Sequence, residues 1–114
     1  MTLQELARQH CVPRKGAEHA LDEAAVTQLL AQLPGWQREA DGKAIAKSYR
    51  FADFHRTMGF LNAVAFIANQ QDHHPDIAAG YGHCRLAFST HDVGALSLND
   101  FICAAKIERL IAER

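Results

Sequence analysis

"DFHRTMGFLNAVAFIANQQDHHP", residues 53–75, contains apolar side chains that recur at spacings of three and four residues. This period predicts an amphipathic helix, and the carboxylate of Asp53 can cap its first turn. Pro75 disfavours helical backbone geometry at His74, so the helix is expected to end around Asp72, with His73 and His74 at its end. It is expected to pack across a sheet through Phe54, Met58, Leu61, Ala65 and Ala68, with Phe60, Val64 and Ile67 widening the apolar stripe.

Two predicted hairpins flank this helix. Before it, "GWQREA" and "KAIAKSYRF" are joined through Asp41-Gly42, a dipeptide that suits the positive φ values of a tight turn. After it, "IAAGY" and "CRLAFS" are separated by a turn near Gly82. The last of these segments alternates in the way that is typical of a strand with one buried face, with Cys84, Leu86 and Phe88 on that face.

Two further helices are predicted, one on either side of the hairpins. Residues 22–33 carry apolar side chains on one helical face and are followed by Pro34-Gly35, which ends a helix. The segment "SLND", residues 97–100, has capping-box spacing and opens a last helix. The order helix, hairpin, helix, hairpin, helix predicts an α+β fold: a four-stranded antiparallel sheet with three helices packed on one face.

Length and charge limit the class of protein. A chain of 114 residues suits one domain, and its 12 Lys and Arg against 13 Asp and Glu give no strong field to attract nucleic acid or an anionic membrane. We therefore expect a small-molecule partner, with no nucleic acid and no membrane. The sequence begins without a signal-like apolar run and contains no stretch of about 18 apolar residues, so a cytoplasmic location is expected.

The first twenty residues mix proline, glycine and charged side chains. We expect residues 1–20 to form a flexible N-terminal arm without a chemical role and residues 21–114 to form the single domain. The three cysteines are odd in number and widely spaced, which favours free thiols over a disulfide framework.

Three histidines are candidates for chemistry. His73 and His74 lie at a helix end, where the helix dipole favours a protonated imidazole, and His91 ends the fourth predicted strand. If the three converge, they can donate a proton to one substrate atom and remove one from another. A zinc site is the rival hypothesis, because three histidines and a water form a known catalytic arrangement. Adjacent residues at a helix end point in different directions, however, so no metal is predicted.

The chain resembles the pterin-4a-carbinolamine dehydratase family in "HHPDIAAGY" (residues 73–81), "STHDVGALS" (residues 89–97) and "NDF" (residues 99–101). Weaker similarity extends through "LPGW" and the central helix, so that the likeness covers about residues 22–111. Two positions differ from the family pattern. Asn69 stands where the family usually has a charged residue, and Ile77 stands where many members have tryptophan.

The resemblance implies dehydration of 4a-hydroxytetrahydrobiopterin, or a related pterin, to the quinonoid dihydropterin in tetrahydrobiopterin recycling, without a cofactor. It assigns acid and base work to His73 and His91, and binding and orientation of the pterin to His74. Further substrate-binding candidates are Ser89, Thr90 and Asp100; Asp100 could equally serve only as the capping partner of Ser97. A homodimer or homotetramer is implied, as is association with an aromatic amino acid hydroxylase. The alternative is an accessory or regulatory protein without catalysis that binds a pterin enzyme or a transcription factor.

Overall fold

A computed structural model describes residues 1–112 of the chain. The helices are α1 (Leu3–Arg8), α2 (Glu23–Leu30), α3 (Phe54–Gln71) and α4 (Leu98–Ala112), and a short 3-10 turn covers Ala17–His19. The strands are β1 (Gln37–Arg38), β2 (Ala44–Arg50), β3 (Asp76–Ala79) and β4 (His83–Ser89). None of the helices in residues 1–112 combines the length and the apolar character needed to cross a membrane.

The four strands form one antiparallel sheet in the order β1, β2, β4, β3. The two central strands come from different hairpins, and their register places Ile45 opposite Phe88. Both side chains are buried in one core with residues of α3 and α4. The predicted α+β fold is confirmed, with four α-helices where three were expected. The first strand is shorter than predicted, since only two residues of "GWQREA" pair with β2.

Both α2 and α3 begin with an aspartate cap, and the cap at Asp53 is the one predicted from the sequence. Oδ1 of Asp22 accepts a hydrogen bond from the backbone N–H of Ala25 at 2.8 Å, and Oδ1 of Asp53 accepts one from Arg56 at 2.8 Å. Helix α3 ends at Asp72, which adopts the left-handed conformation with φ of 52°. Because a left-handed residue cannot continue the helix, the chain turns sharply there, and His73 leaves the helix axis.

The core-facing side of α3 agrees only in part with the predicted one. The predicted residues Phe60, Leu61, Val64 and Ala68 are buried, together with Thr57. The expected core residues Phe54 and Met58 are 52% and 36% exposed, and Ala65 is also exposed. The helix is apolar on more than one side, and spacing alone does not identify the side that faces the sheet. Phe66, at 67% exposed, extends this uncovered apolar surface.

The N-terminal segment is packed against the domain, which does not fit the expectation of a flexible arm. Leu6 and Ala7 of α1 are buried, and Nζ of Lys106 on α4 donates to the backbone oxygen of Ala7 at 2.8 Å. A six-residue helix is marginal on its own, so its stability comes from this packing rather than from its sequence. The residues that follow α1 then lie across one end of the sheet, beside the end of β4.

Candidate active site

A cleft of about 770 Å³ lies where the C-terminal end of α3, the end of β4 and the residues after α1 meet. Its lining contains five of the residues predicted from the sequence to bind or transform a substrate: His73, His74, Ser89, Thr90 and His91. The convergence of the three histidines, which the sequence left as a hypothesis, is therefore present in the fold. Positions 74 and 91 are exposed, while His73 is half-buried.

His73 forms the best-supported contact of the cleft. Its Nε2 lies 2.7 Å from Oδ1 of Asp100, the third residue of α4. Since a carboxylate oxygen only accepts, Nε2 donates, and Nδ1 is the ring nitrogen left for proton exchange. The imidazole also stacks on the buried ring of Phe88, with centroids 5.9 Å apart and planes inclined by 10°. The carboxylate and the aromatic ring together fix the orientation of this histidine.

The surroundings of His73 favour its protonated form. Burial is the largest single influence and by itself lowers the pKa. The hydrogen bond to Asp100 and the negative charge of the same carboxylate act in the opposite direction, and with smaller contributions from Cys11 and Asp72 they raise the pKa of His73 above its ordinary value. The imidazole therefore holds a proton to higher pH than a free histidine.

Asp100 is fully buried and joins three elements. Its Oδ2 accepts from the backbone N–H of Ser97 at 3.0 Å and from the hydroxyl of Thr90 at 2.8 Å. Its Oδ1 accepts from Nε2 of His73. Asp100 therefore has both roles considered from the sequence, support of a histidine and capping of α4. The assignment of Asp100 to substrate binding does not fit its 0% exposure. Thr90 lines the cleft, but its hydroxyl is already committed to Asp100 and to Oγ of Ser97.

His74 is held by the residue that differs from the usual family pattern. Nε2 of His74 lies 3.2 Å from Oδ1 of Asn69 on the last turn of α3. An amide oxygen can accept from this nitrogen without adding a charge, so Asn69 orients the ring and leaves Nδ1 for a ligand. The contact is exposed, which makes His74 the more mobile member of the histidine pair.

His91 reaches the cleft from the segment after β4. It lies in a tight turn after β4, in which the backbone N–H groups of Val93 and Gly94 bond to the oxygen of Thr90 at 3.1 Å and 3.0 Å. Gly94 has a φ of 75°, a conformation that glycine adopts without steric cost. His91 also borders a second cleft of about 680 Å³ on the open face of the sheet, and this position leaves its imidazole accessible.

Sequence reasoning missed one wall of the cleft. Residues 11–15, which we call the strap, line it together with Gln71 and Asn99. The hydrogen bonds from the strap to Gln71 and Asn99 join positions 60 or more residues apart, and no spacing or composition in the sequence predicts them. Within residues 1–112, no group of three or more His, Cys, Asp or Glu side chains is arranged to hold a metal ion.

Comparisons with known proteins identify the family of this chain. The sequence profile of the "Pterin 4 alpha carbinolamine dehydratase" family matches residues 19–110. A protein of Xanthomonas campestris pv. campestris (strain 8004) is 52% identical over 105 residues, which cover 92% of this chain and 89% of that protein. A protein of Stenotrophomonas maltophilia (strain K279a) is also 52% identical over 105 residues, covering 92% and 90%. Both bear the name "Putative pterin-4-alpha-carbinolamine dehydratase".

Two solved structures share the fold. The crystal structure of a transcriptional coactivator/pterin dehydratase from Brucella melitensis superimposes with a TM-score of 0.77 at 30% identity, over 80% of this chain and 97% of that one. A pterin dehydratase-like protein described as a RuBisCO assembly factor of the alpha-carboxysome gives a TM-score of 0.58 at 19% identity, covering 67% and 88%. The profile match over most of the chain, together with the 52% identity, shows that this chain belongs to the pterin-4-alpha-carbinolamine dehydratase family.

Proposed function

We propose that this protein catalyses the dehydration of a 4a-hydroxytetrahydropterin, such as 4a-hydroxytetrahydrobiopterin, to the quinonoid dihydropterin. The bond between C4a and its hydroxyl oxygen breaks, N5 loses its proton, a C4a–N5 double bond forms, and water leaves. Such a reaction needs one acid and one base and no redox partner. The observation that carries the proposal is the His73–Asp100 pair, which faces a cleft shared with His74 and His91 in a member of this family.

His73 acts as the acid in this proposal. Asp100 favours the imidazolium form and occupies Nε2, so that Nδ1–H is the proton available to the departing 4a-hydroxyl. A hydroxyl leaves far more easily as water than as hydroxide, and a positioned acid contributes about 10²- to 10⁴-fold to such a step. Stacking on Phe88 supports this role, because it restrains the ring in one orientation.

His91 acts as the base, and His74 binds the pterin. His91 is exposed, lines the same cleft and can accept the N5 proton in its neutral form. His74, whose Nε2 is bound by Asn69, can donate to or accept from the ring through Nδ1. Ser89 is half-buried in the cleft lining and can add a hydroxyl contact to the substrate.

The proposal is tested by following carbinolamine dehydration with purified protein. The substrate is generated in situ by a pterin-dependent aromatic amino acid hydroxylase, and its disappearance is compared with the spontaneous rate. We expect a catalysed rate in proportion to protein concentration. No acceleration at micromolar protein would remove the enzymatic proposal and, with it, a place in the recycling of tetrahydrobiopterin.

A second candidate function is binding to another protein, and one specific surface supports it. Phe54 and Tyr81 stack with ring centroids 6.4 Å apart, yet they are 52% and 69% exposed. Large apolar side chains grouped on a surface are typical of interaction sites. The similar protein from Brucella melitensis is described as a transcriptional coactivator as well as a pterin dehydratase.

Self-association is one form that such binding can take. Strand β3 is at the edge of the sheet, and its four residues are exposed, so a second copy can pair with it. Sedimentation at micromolar concentration would support this proposal by showing a dimer or tetramer, and a monomer would contradict it. An accessory role without catalysis requires that the dehydration assay give no acceleration, which keeps the two candidate functions distinct.

A further inference from the structure

The strap, residues 11–15, is fastened across the cleft by side chains next to the proposed catalytic pair. Oε1 of Gln71 accepts from the backbone N–H of Cys11 at 2.8 Å. Asn99 binds Val12 at both backbone groups: Nδ2 donates to its oxygen at 2.7 Å, and Oδ1 accepts from its N–H at 3.3 Å. These side chains therefore hold the backbone of the strap in place, and the strap forms part of the wall of the site.

The two anchors also fix the histidine and its carboxylate. Gln71 ends α3 two residues before His73, and Asn99 directly precedes Asp100. The same two segments thus position the proton-transfer pair and the strap. Because both anchors are buried, at 7% and 5% exposure, their hydrogen bonds are sheltered from competing water.

Arg14 is the strap residue that is both restrained by a hydrogen bond and left with unused donors. Its Nε donates to Oδ1 of Asn99 at 3.0 Å, and this is its single hydrogen bond within residues 1–112. The side chain is half-buried and lines the cleft with the three histidines. The two terminal nitrogens of the guanidinium remain as donors for a ligand, and the bond to Asn99 restrains the group before a ligand arrives.

We propose that Arg14 is a substrate-binding residue, which donates from its guanidinium to an oxygen atom of the bound pterin, and that Asn99 positions it. This inference rests on the proposed dehydratase function. It also extends the site beyond the range of the family profile, which begins at residue 19. Arg14 contributes equally to binding of the ground state and of the transition state, since it is not one of the groups that exchange a proton. Its loss then raises KM and leaves kcat nearly unchanged.

Four variants and a matched control test this assignment. Arg14→Gln removes the charged donor and is expected to raise KM roughly 10- to 100-fold, the effect of losing a charge-assisted hydrogen bond. Arg14→Lys keeps the charge and is expected to recover part of that loss. Asn99→Ala releases the guanidinium and is expected to raise KM in the same direction, with a combined effect in Arg14→Gln/Asn99→Ala smaller than the product of the two. Arg8→Gln is the control, because Arg8 is exposed on α1 and does not line the cleft.

A second readout separates this proposal from the proposed function. Binding of 7,8-dihydrobiopterin, a pterin that does not undergo the reaction, is measured by calorimetry for the same variants. Weaker binding to Arg14→Gln than to Arg8→Gln supports the role of Arg14 even in a protein that shows no dehydration. Equal affinity and equal KM in Arg14→Gln and Arg8→Gln overturn it, whether or not the wild type is active. A wild-type protein that neither binds this pterin nor dehydrates the carbinolamine overturns both proposals.

Discussion

Nε2 of His73 and Oδ1 of Asp100 lie 2.7 Å apart, although 27 residues separate them in the chain. The contact joins the end of α3 to the first turn of α4, and it places a buried carboxylate directly behind a half-buried imidazole. In the proposed mechanism Asp100 does not contact the substrate. It leaves Nδ1 of His73 for proton transfer and strengthens the hold of the ring on its proton.

Asp100→Asn is expected to shift the pH dependence of dehydration. The amide oxygen can still accept from Nε2 but the side chain lacks the negative charge, so the pKa of His73 falls relative to the wild type. The amide NH2 cannot replace Oδ2 as acceptor for the N–H of Ser97, so folding of the variant is checked alongside. If protonated His73 is the acid, kcat/KM decreases as pH rises through this pKa, and the decrease moves to lower pH in the variant. Turnover at neutral pH is expected to fall roughly tenfold or more.

The matched control for this change is Asp92→Asn. Asp92 also lines the cleft, but it is exposed and makes no side-chain ion pair among residues 1–112. We expect the pH profile of this variant to follow that of the wild type. A profile that shifts equally in both variants would point to general cleft charge rather than to the His73–Asp100 contact.

The stability of the fold should depend on pH through the contact between His73 and Asp100. Because the pKa of folded His73 is raised above the unfolded value of about 6.5, its protonated form stabilises the fold. This stabilisation is fully present below about pH 6.5 and is lost as pH rises through the higher folded pKa. The free energy of unfolding of the wild type should therefore exceed that of His73→Gln by more at about pH 5.5 than at about pH 9.

Denaturant unfolding at the two pH values measures this difference. Each unit by which the pKa is raised corresponds to about 1.4 kcal/mol. His55→Gln is the control, because His55 is exposed on α3 and its side chain forms no hydrogen bond or ion pair among residues 1–112. A difference between wild type and His73→Gln that grows with pH would contradict the sign derived from the Asp100 contact.

His91 and His74 are expected to have different roles, proton transfer for the first and substrate binding for the second. His91→Ala should lower turnover by about 10²- to 10⁴-fold with less effect on binding, as expected for a proton-transfer group. His74→Ala should raise KM more than it lowers turnover, because His74 orients the pterin. The double change His73→Ala/His91→Ala should cost less free energy than the sum of the single changes, since both act on one substrate. Steady-state kinetics with substrate saturation in each variant decides between these patterns.

A metal ion is not expected to take part. Proton transfer by two imidazoles accounts for the chemistry, so incubation with a chelator followed by desalting should leave the rate of dehydration unchanged. Stoichiometric zinc in the purified protein, with activity that is lost on its removal and restored by its return, would overturn this expectation.

Local patterns predicted the elements of the fold more reliably than their contacts. The cap at Asp53, the two hairpins and the break before Pro75 follow from short-range rules, and the structure contains them. The side of α3 that faces the sheet could not be predicted, because its apolar residues cover more than one face. Helix α1 was missed because six residues carry too little signal, and tertiary packing stabilises it.

The residues of the candidate site were likewise predictable from the sequence only where a short-range pattern identifies them. A motif of nearby residues identified the histidines, and the capping-box spacing identified Asp100 as one of two possibilities that the structure combines. The strap could not be found from sequence, because Asn99 holds Val12 across 87 positions through a side-chain amide and backbone groups. Any residue at position 12 other than proline offers the same backbone groups, so no residue type marks such a contact.

The role of His73 is central to the proposed chemistry, and the turnover of a His73 variant is the most direct measurement of it. Wild-type protein and His73→Ala are compared at saturating 4a-hydroxytetrahydrobiopterin, with binding of 7,8-dihydrobiopterin recorded for both. We expect turnover to fall by about 10²- to 10⁴-fold in His73→Ala, while the affinity for the unreactive pterin changes much less. Turnover within a few fold of the wild type in His73→Ala would contradict the assignment of His73 as the acid.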